Sequence, residues 1–343
     1  MNSVAIKSLN TFRMNVFAKR IVVALTEEDL LKAWRQATIL DNQPILILGG
    51  GSNVLFLENY MGTILLNRIR GITIKESKDA WYLYIHSGEI WNRLVNFSIN
   101  QNMPGLENLA FIPGYVGTAP IQNIGAYGVE FCQFCEYVDI LQLDNGKKYR
   151  LNKFECCFDY RESIFKHSYR NNYAIIAVNL RIDKIWKPII HYNGLTHFNV
   201  NRVTPRQILN RIFLLRKRKI PNPLFQGNAG SFFKNPIVDA KTAKILKNKY
   251  KNIPIFSVKN NQFRLSAGWL IEKCQLKGYK MGNAEVYNKQ ALILVNNGKA
   301  TGTELILLAK YIRDKVSEKF SIWLEPEVRF IASQGEIDPS KIL

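Results

Sequence analysis

Apolar positions along the chain follow two periods, and the switches between them mark the elements. Arg20-Ile21-Val22-Val23-Ala24-Leu25 is a short apolar strand. Thr26 stands where a helix wants its N-cap, and Glu27-Glu28-Asp29 place acids in the first turn, where the helix dipole favours them. Leu30, Leu31, Trp34 and Ala37 give that helix an apolar face, and Asn42-Gln43 end it. Pro44 to Leu48 is a buried strand by its continuous apolar run. Trp81 to Ile85 is a strand by its aromatic and β-branched content, and Trp91 to Ile99 a helix with Trp91, Leu94, Val95 and Ser98 on one side. Tyr137 to Leu143 and Lys148 to Leu151 flank Asp144-Asn145-Gly146, a hairpin signal, and Ala174 to Val178 is a buried strand. Further on, the pattern predicts a helix from Ser266 to Leu276 stopped by Gly278, and a strand from Ala291 to Val295. The capping box Thr301 to Glu304 opens a last helix, with Leu305, Leu308, Ala309, Ile312, Val316 and Phe320 on its core face. Ile322 to Phe330 reads as a strand carrying two acids, Glu325 and Glu327. A carboxylate on a buried strand is costly without a partner, so one of the two has a task.

Three stretches break this periodicity. Gly49-Gly50-Gly51-Ser52-Asn53 follows a buried strand directly. Its glycines free backbone N–H groups to form an anion-binding nest, with Ser52 and Asn53 as further donors. No Gly-Lys-Ser/Thr closes it and the G-x-G-x-x-G spacing is absent, so it is neither a Walker loop nor the dinucleotide fingerprint. A flexible turn is the plainer alternative. Met103 to Gly128 is nearly uncharged yet dense in glycine and proline. A backbone-exposing wall of that kind suits a large flat cofactor with a phosphate tail, or else is an irregular buried connection. In Gly227-Asn228-Ala229-Gly230-Ser231-Phe232-Phe233-Lys234-Asn235-Pro236, two glycines put Ser231 on a tight bend packed down by two aromatics. The bland alternative is an anchored loop whose serine caps something nearby. Arg161 lies amid aromatics and is either a carboxylate clamp or a surface partner of Glu162.

At 343 residues the chain exceeds one small core, so two or three domains are expected. The formal charge of +20 invites a nucleic-acid reading, but the basic residues are scattered and the one dense run is Arg216 to Lys219. A compact anionic substrate accounts for that run equally well. Five cysteines and four histidines, with one C-x-x-C at Cys132 and Cys135, point to free thiols and no metal site. Met1 to Lys7 lacks a signal-peptide core and no apolar run is long enough to span a bilayer, so a cytoplasmic protein is expected.

The motifs taken in order resemble those of the UDP-N-acetylenolpyruvoylglucosamine reductase family. They are Gly49 to Asn53, Ile112-Pro113-Gly114, Pro120 to Gly128, Tyr160-Arg161, Gly227 to Pro236, Ala267 to Leu270 and Leu324 to Val328. The resemblance implies an α+β chain with an FAD-binding PCMH-type (vanillyl-alcohol-oxidase-like) fold of two subdomains plus an α+β substrate-binding domain. Its segments would be 1–70 and 71–218 for FAD, 219–320 for substrate, and 321–343 returning to the FAD portion. It further implies a monomer that takes hydride from NADPH onto FAD and passes it to an enolpyruvyl UDP-sugar. FAD would lie on Gly49, Gly50, Gly51, Ser52, Asn53, Ile112, Pro113, Gly114, Thr118, Gln122, Asn123, Ile124 and Gly125. Tyr127, Tyr192, Arg216, Lys219, Asn235 and Gln290 would hold the UDP-sugar. Ser231 would donate the proton, with Arg161 and Glu327 acting at the carboxylate.

Two positions depart from the family pattern. Phe256 falls where the longer subtype usually has a tyrosine on a loop over the substrate, so a hydroxyl contact is lost while ring contact remains. Thr118-Ala119 replaces paired small residues, which puts one FAD phosphate donor in question. A flavin oxidase of the same fold and a basic nucleic-acid-binding protein are the competing readings. An absorption spectrum separates the second, and oxygen consumption without NADPH selects the first.

Overall fold

A computed structural model describes residues 3–343; the first two residues of the expected segment 1–70 lie outside it. The chain forms two compact units. The first comprises Lys19–Gly50 and Met61–Lys217, the second Ser3–Ala18, Gly51–Tyr60 and Arg218–Leu343.

In the first unit, helix α1 (Glu27–Arg35) starts where the N-cap signal puts it. Thr26 accepts the Asp29 amide at 3.1 Å while the Asp29 carboxylate accepts the Thr26 amide at 3.0 Å. Such a reciprocal cap is worth about 1 kcal/mol. Leu30, Ala33 and Trp34 bury against Ala24, Leu65, Leu141 and Ile176. The helix runs into a wider π-turn, Gln36–Leu40, and Asn42 then leaves the helical region at φ 45°. Strand Tyr60–Asn67 lies between Phe17–Ala24 and Ile45–Leu48. Its pairing with Ile45–Leu48 is parallel, with Leu48 opposite Leu66, so both strands end at the same edge.

A five-stranded antiparallel sheet follows in the order Lys148–Asn152, Cys135–Gln142, Tyr173–Asp183, Ala80–His86, Ile72–Glu76. The expected hairpin is its first pair. Tyr173–Asp183 outruns the apolar core that signalled it, because it has a partner strand on either side. Helix α2 (Trp91–Asn100) buries the four predicted positions, Trp91, Leu94, Val95 and Ser98. These side chains join Phe131, Val138 and Val178 in the larger core. Helix α3 is Pro205–Lys219.

In the second unit, Gly227–Ser231 pairs with Ile293–Asn296, followed by Ala284–Val286 and Lys280–Met281. A smaller sheet orders Ile237–Asp239, Gln262–Leu265, Ile255–Ser257. Helix α4 is Ala240–Lys249, α5 is Ala267–Lys273 and α6 is Gly302–Phe320. α6 carries the predicted capping box and the whole predicted core face. α5 stops earlier than expected, at Lys273, and Gln275 takes φ 59° before Gly278 takes φ 75°.

The tail corrects the sequence reading. Within Ile322 to Phe330 a ladder begins only at Arg329: Arg329–Ala332 pairs in parallel with Val54–Phe56 and antiparallel with Gly335–Ile337. Residues 322–328 keep strand-like alternation, with Ile322, Leu324 and Val328 buried and Trp323 exposed. They form no ladder, however, and Pro326, which has no N–H, makes an isolated bridge to Phe233. Among the described residues no helix is long and apolar enough to cross a membrane.

Candidate active site

The first unit brings two of the glycine-rich stretches together. A β carbon on Gly49 would lie 2.4 Å from Thr118 Cγ2, and one on Gly50 would lie 3.2 Å from Gly114 Cα. Gly50 thus packs against the backbone at Gly114 and Gly49 against the Thr118 methyl, with no room for a further side chain at either glycine. Thr118 is itself tied down: its hydroxyl donates to Tyr115 O at 2.8 Å and accepts the Tyr115 amide at 3.3 Å. Ile112 is half-buried and Pro113 exposed, whereas Ile124 is buried and offers only backbone. A glycine-rich junction of this kind fits a phosphate-bearing cofactor, because side chains do not obstruct close approach to the backbone.

The Asn123 side chain is committed to hydrogen bonds within the first unit. It is fully buried, donating to the Glu130 carboxylate and to Asp159 O, each at 3.1 Å, and accepting the Cys132 amide at 2.9 Å. Its carboxamide thus anchors the turn that carries Arg161. Asp159 and Glu162 close that turn with reciprocal amide bonds of 3.1 Å. Arg161 takes φ 54°, an uncommon conformation for a non-glycine residue. Lys166 Nζ donates to Arg161 O at 2.6 Å, and Ser163 Oγ donates to Ile121 O at 2.6 Å. The Arg161 guanidinium donates to Gly125 O at 2.8 Å, and a β carbon on Gly125 would come within 3.0 Å of Arg161 Nη1. Glu162 faces His167 at 3.2 Å and Lys166 at 4.0 Å.

Tyr127, Tyr192 and Arg216 also meet. The two rings stand edge to face with centroids 5.5 Å apart. Burial pushes the Tyr127 hydroxyl above its ordinary range, and the Arg216 charge beside it eases it down. Burial pulls the Arg216 guanidinium below its ordinary value, opposed by Tyr127. Tyr127 takes φ 49°, and its carbonyl accepts from Asn108 Nδ2 at 2.8 Å. The same amide reaches Ile189 O at 2.9 Å, fixing the segment that leads to Tyr192. Next to it, buried Glu107 accepts Trp186 Nε1 and the Gly105 amide, each at 2.7 Å. Neither Glu107 nor Asn108 was singled out in the sequence. The signal was there, since Glu107 is the one charged residue between Met103 and Gly128.

The second unit places Ser231 at the end of a bulged strand. Its neighbour Gly230 takes φ 70°, and buried Asn228 accepts the Gly230 amide at 3.1 Å. Phe232 and Phe233 are fully buried, their rings 5.0 Å apart, and act as the anchor that the sequence suggested. Phe232 O accepts the Glu327 amide at 2.8 Å, so Ser231 and Glu327 lie on neighbouring backbones. Glu327 O in turn accepts from Asn53 Nδ2 at 3.1 Å, and Asn53 O accepts the Arg329 amide at 3.0 Å. Of the two tail acids, Glu325 faces Lys234 at 3.5 Å and is exposed, whereas Glu327 is half-buried.

Gly51 takes φ 58°, with Leu9 O only 2.0 Å from where its β carbon would be. Ser52 beside it is half-buried, as is Gln122 in the first unit. Asn235 Oδ1 accepts the Ala267 amide at 2.9 Å, and a β carbon on Gly268 would come within 2.9 Å of Gln290 Oε1. Both amides therefore sit at the start of α5. Lys219 is exposed at the end of α3, and Phe256 is exposed in Ile255–Ser257.

Comparison with known proteins bears on this arrangement. Residues 18–152 match the family model described as FAD binding domain, and residues 222–331 match that of the UDP-N-acetylenolpyruvoylglucosamine reductase, C-terminal domain. A UDP-N-acetylenolpyruvoylglucosamine reductase of Blochmanniella floridana is 57% identical over 338 residues, 98% of this chain and 97% of its own. That of Escherichia coli (strain K12) is 51% identical over 333 residues, 97% of each chain. The crystal structure of a UDP-N-acetylenolpyruvylglucosamine reductase from Thermus caldophilus matches with a TM-score of 0.66 at 23% identity, over 96% of this chain and 98% of that one, and shares the fold. The α+β architecture with an FAD-binding portion and a separate C-terminal domain is the expected one. The chain belongs to the UDP-N-acetylenolpyruvoylglucosamine reductase family.

Proposed function

We propose that the chain is an NADPH-dependent flavoenzyme that reduces UDP-N-acetylglucosamine enolpyruvate to UDP-N-acetylmuramate, a step in peptidoglycan precursor synthesis. The observation that carries this is the 57% identity, over 98% of the chain, to a relative named for that reductase. The glycine-walled loops of the first unit suit the cofactor that the FAD binding domain match implies.

FAD, when bound, relays hydride from NADPH to the terminal carbon of the enolpyruvyl group. Gly49, Gly50, Gly51, Ser52 and Asn53 would hold it together with Ile112, Pro113, Gly114, Thr118, Gln122, Asn123, Ile124 and Gly125. As the carbon–hydrogen bond forms, negative charge spreads from the adjacent carbon into the carboxylate. Arg161, locked by its strained turn, meets that charge with a cation already in place, so little reorganisation is needed. Ser231 gives its hydroxyl proton to the adjacent carbon, and Glu327 acts at the carboxylate. Tyr127, Tyr192 and Arg216 hold the nucleotide sugar with Asn235, Gln290 and Lys219. The same assignment carries a cytoplasmic monomer that binds no nucleic acid.

The test is direct. Purified protein should be yellow, and it should oxidise NADPH beyond one equivalent per flavin only when the enolpyruvyl nucleotide is present. NADPH-independent oxygen consumption with another substrate would select a flavin oxidase instead.

A further inference from the structure

Arg68 joins the two glycine loops of the first unit. It follows the strand Tyr60–Asn67 as Gly49 follows the parallel strand Ile45–Leu48, so the two residues leave the sheet at one edge. Its Nη2 donates to Gly49 O at 3.1 Å and its Nη1 to Asn67 O at 2.9 Å. The same guanidinium lies over the Tyr115 ring, 4.1 Å from the centroid, and Tyr115 belongs to the second loop. The Arg68 backbone is held as firmly. Its amide donates to Ala24 O at 2.8 Å, and Gly88 packs so closely that a β carbon there would be 2.4 Å from Arg68 C. No carboxylate pairs with Arg68 among the described residues. Its charge therefore stays uncompensated at the junction of two loops. A planar guanidinium suits both contacts, since it can hydrogen-bond in its plane and stack on its face at once.

We propose that Arg68 is a positioning residue for FAD: it ties the loop at Gly49 to the loop at Tyr115, sets their spacing, and keeps positive charge where a dinucleotide's phosphates are to be held. The proposal rests on the flavoenzyme assignment above and adds a residue to it. Lysine in this place keeps the charge but cannot stack and bridge together.

The experiment compares wild type with Arg68→Met, Arg68→Lys and Tyr115→Leu. It measures bound flavin per chain, the FAD dissociation constant of the stripped protein, and the melting temperature of that protein without FAD. Charge-assisted hydrogen bonds and stacking of this kind predict that Arg68→Met weakens FAD binding at least about tenfold. Arg68→Lys should recover part of the loss, Tyr115→Leu should fall between, and the flavin-free melting temperatures should match wild type. FAD binding within twofold of wild type in Arg68→Met, with wild type holding FAD, would sink this proposal alone. So would a flavin-free protein that melts early in proportion to its lost affinity, which makes Arg68 a general fold residue. A wild-type chain that takes up no FAD would remove the flavoenzyme assignment and this proposal together.

Discussion

Gly49 in the first unit and Gly230 in the second both sit in stretches that the sequence marks by small residues, one after a strand and one in a strand's bulge, yet different constraints keep them glycine. At Gly49 the constraint is space, because Thr118 Cγ2 stands 2.4 Å from where a β carbon would go. At Gly230 space is open, with nothing within 4 Å, and the constraint is the backbone at φ 70°. The first loop is a packed wall that must keep its surface bare. The second is a bend that turns Ser231 off a strand. The two stretches thus leave different marks, and substitution separates them.

The largest effect is expected at the wall. Gly49→Ala should cost about 1–3 kcal/mol by overpacking and lower both the melting temperature and the flavin bound per chain. Adding Thr118→Ser, which removes the offending methyl, should restore most of both. Failure of that rescue would mean that space is not the constraint.

Next is Asn123→Ala, which removes three buried hydrogen bonds and should cost about 1–3 kcal/mol in urea unfolding. If its carboxamide serves the Arg161 turn, turnover should fall while the flavin content of the folded protein holds. Flavin loss without a turnover defect would reassign the side chain to the cofactor.

At the bend, Gly230→Ala should cost about 1 kcal/mol of backbone strain with no clash, and Gly230→Asn less, because asparagine tolerates this conformation. A penalty for alanine as large as at Gly49 would erase the contrast between the two loops.

The smallest effect is a pH dependence at Glu107. Burial pushes its carboxyl above the ordinary range, outweighing the hydrogen bonds from Trp186 and Gly105. A carboxyl raised in the folded state gives its full support below its unfolded pKa and loses it as pH rises through the folded one. The urea midpoint of Glu107→Gln should therefore gain on wild type from mildly acidic to neutral pH. A constant gap would mean that Glu107 does not titrate as described.

Much of this was legible in the sequence wherever the cause is local. The caps at Thr26 and Thr301, the buried stripe of α2 and the Asn145-Gly146 hairpin depend on residues within a few positions of one another. The bend at Ser231 and its aromatic anchor were legible for the same reason. The tail strand was misjudged because alternation at residues 322–328 reports burial, whereas pairing with the backbone at residues 232–234 stops at one bridge, held by the bonds from Lys234 N to Glu325 O and from Glu327 N to Phe232 O. Positive φ at Arg161 and Tyr127 was invisible, since neither residue type prefers it and distant side chains such as Asn108 and Asn123 maintain it. The tie from Arg68 to Gly49 and Tyr115 likewise depends on strand order, which no local period encodes.

The central claim is that the bare-walled loops serve the flavin while the hydroxyl at the bend completes the reduction. Ser231→Ala tests it most directly when flavin absorbance is followed through two additions. NADPH should bleach the variant as fast as wild type, and the enolpyruvyl nucleotide should then restore the colour about a hundredfold or more slowly. Recovery at the wild-type rate would contradict the account.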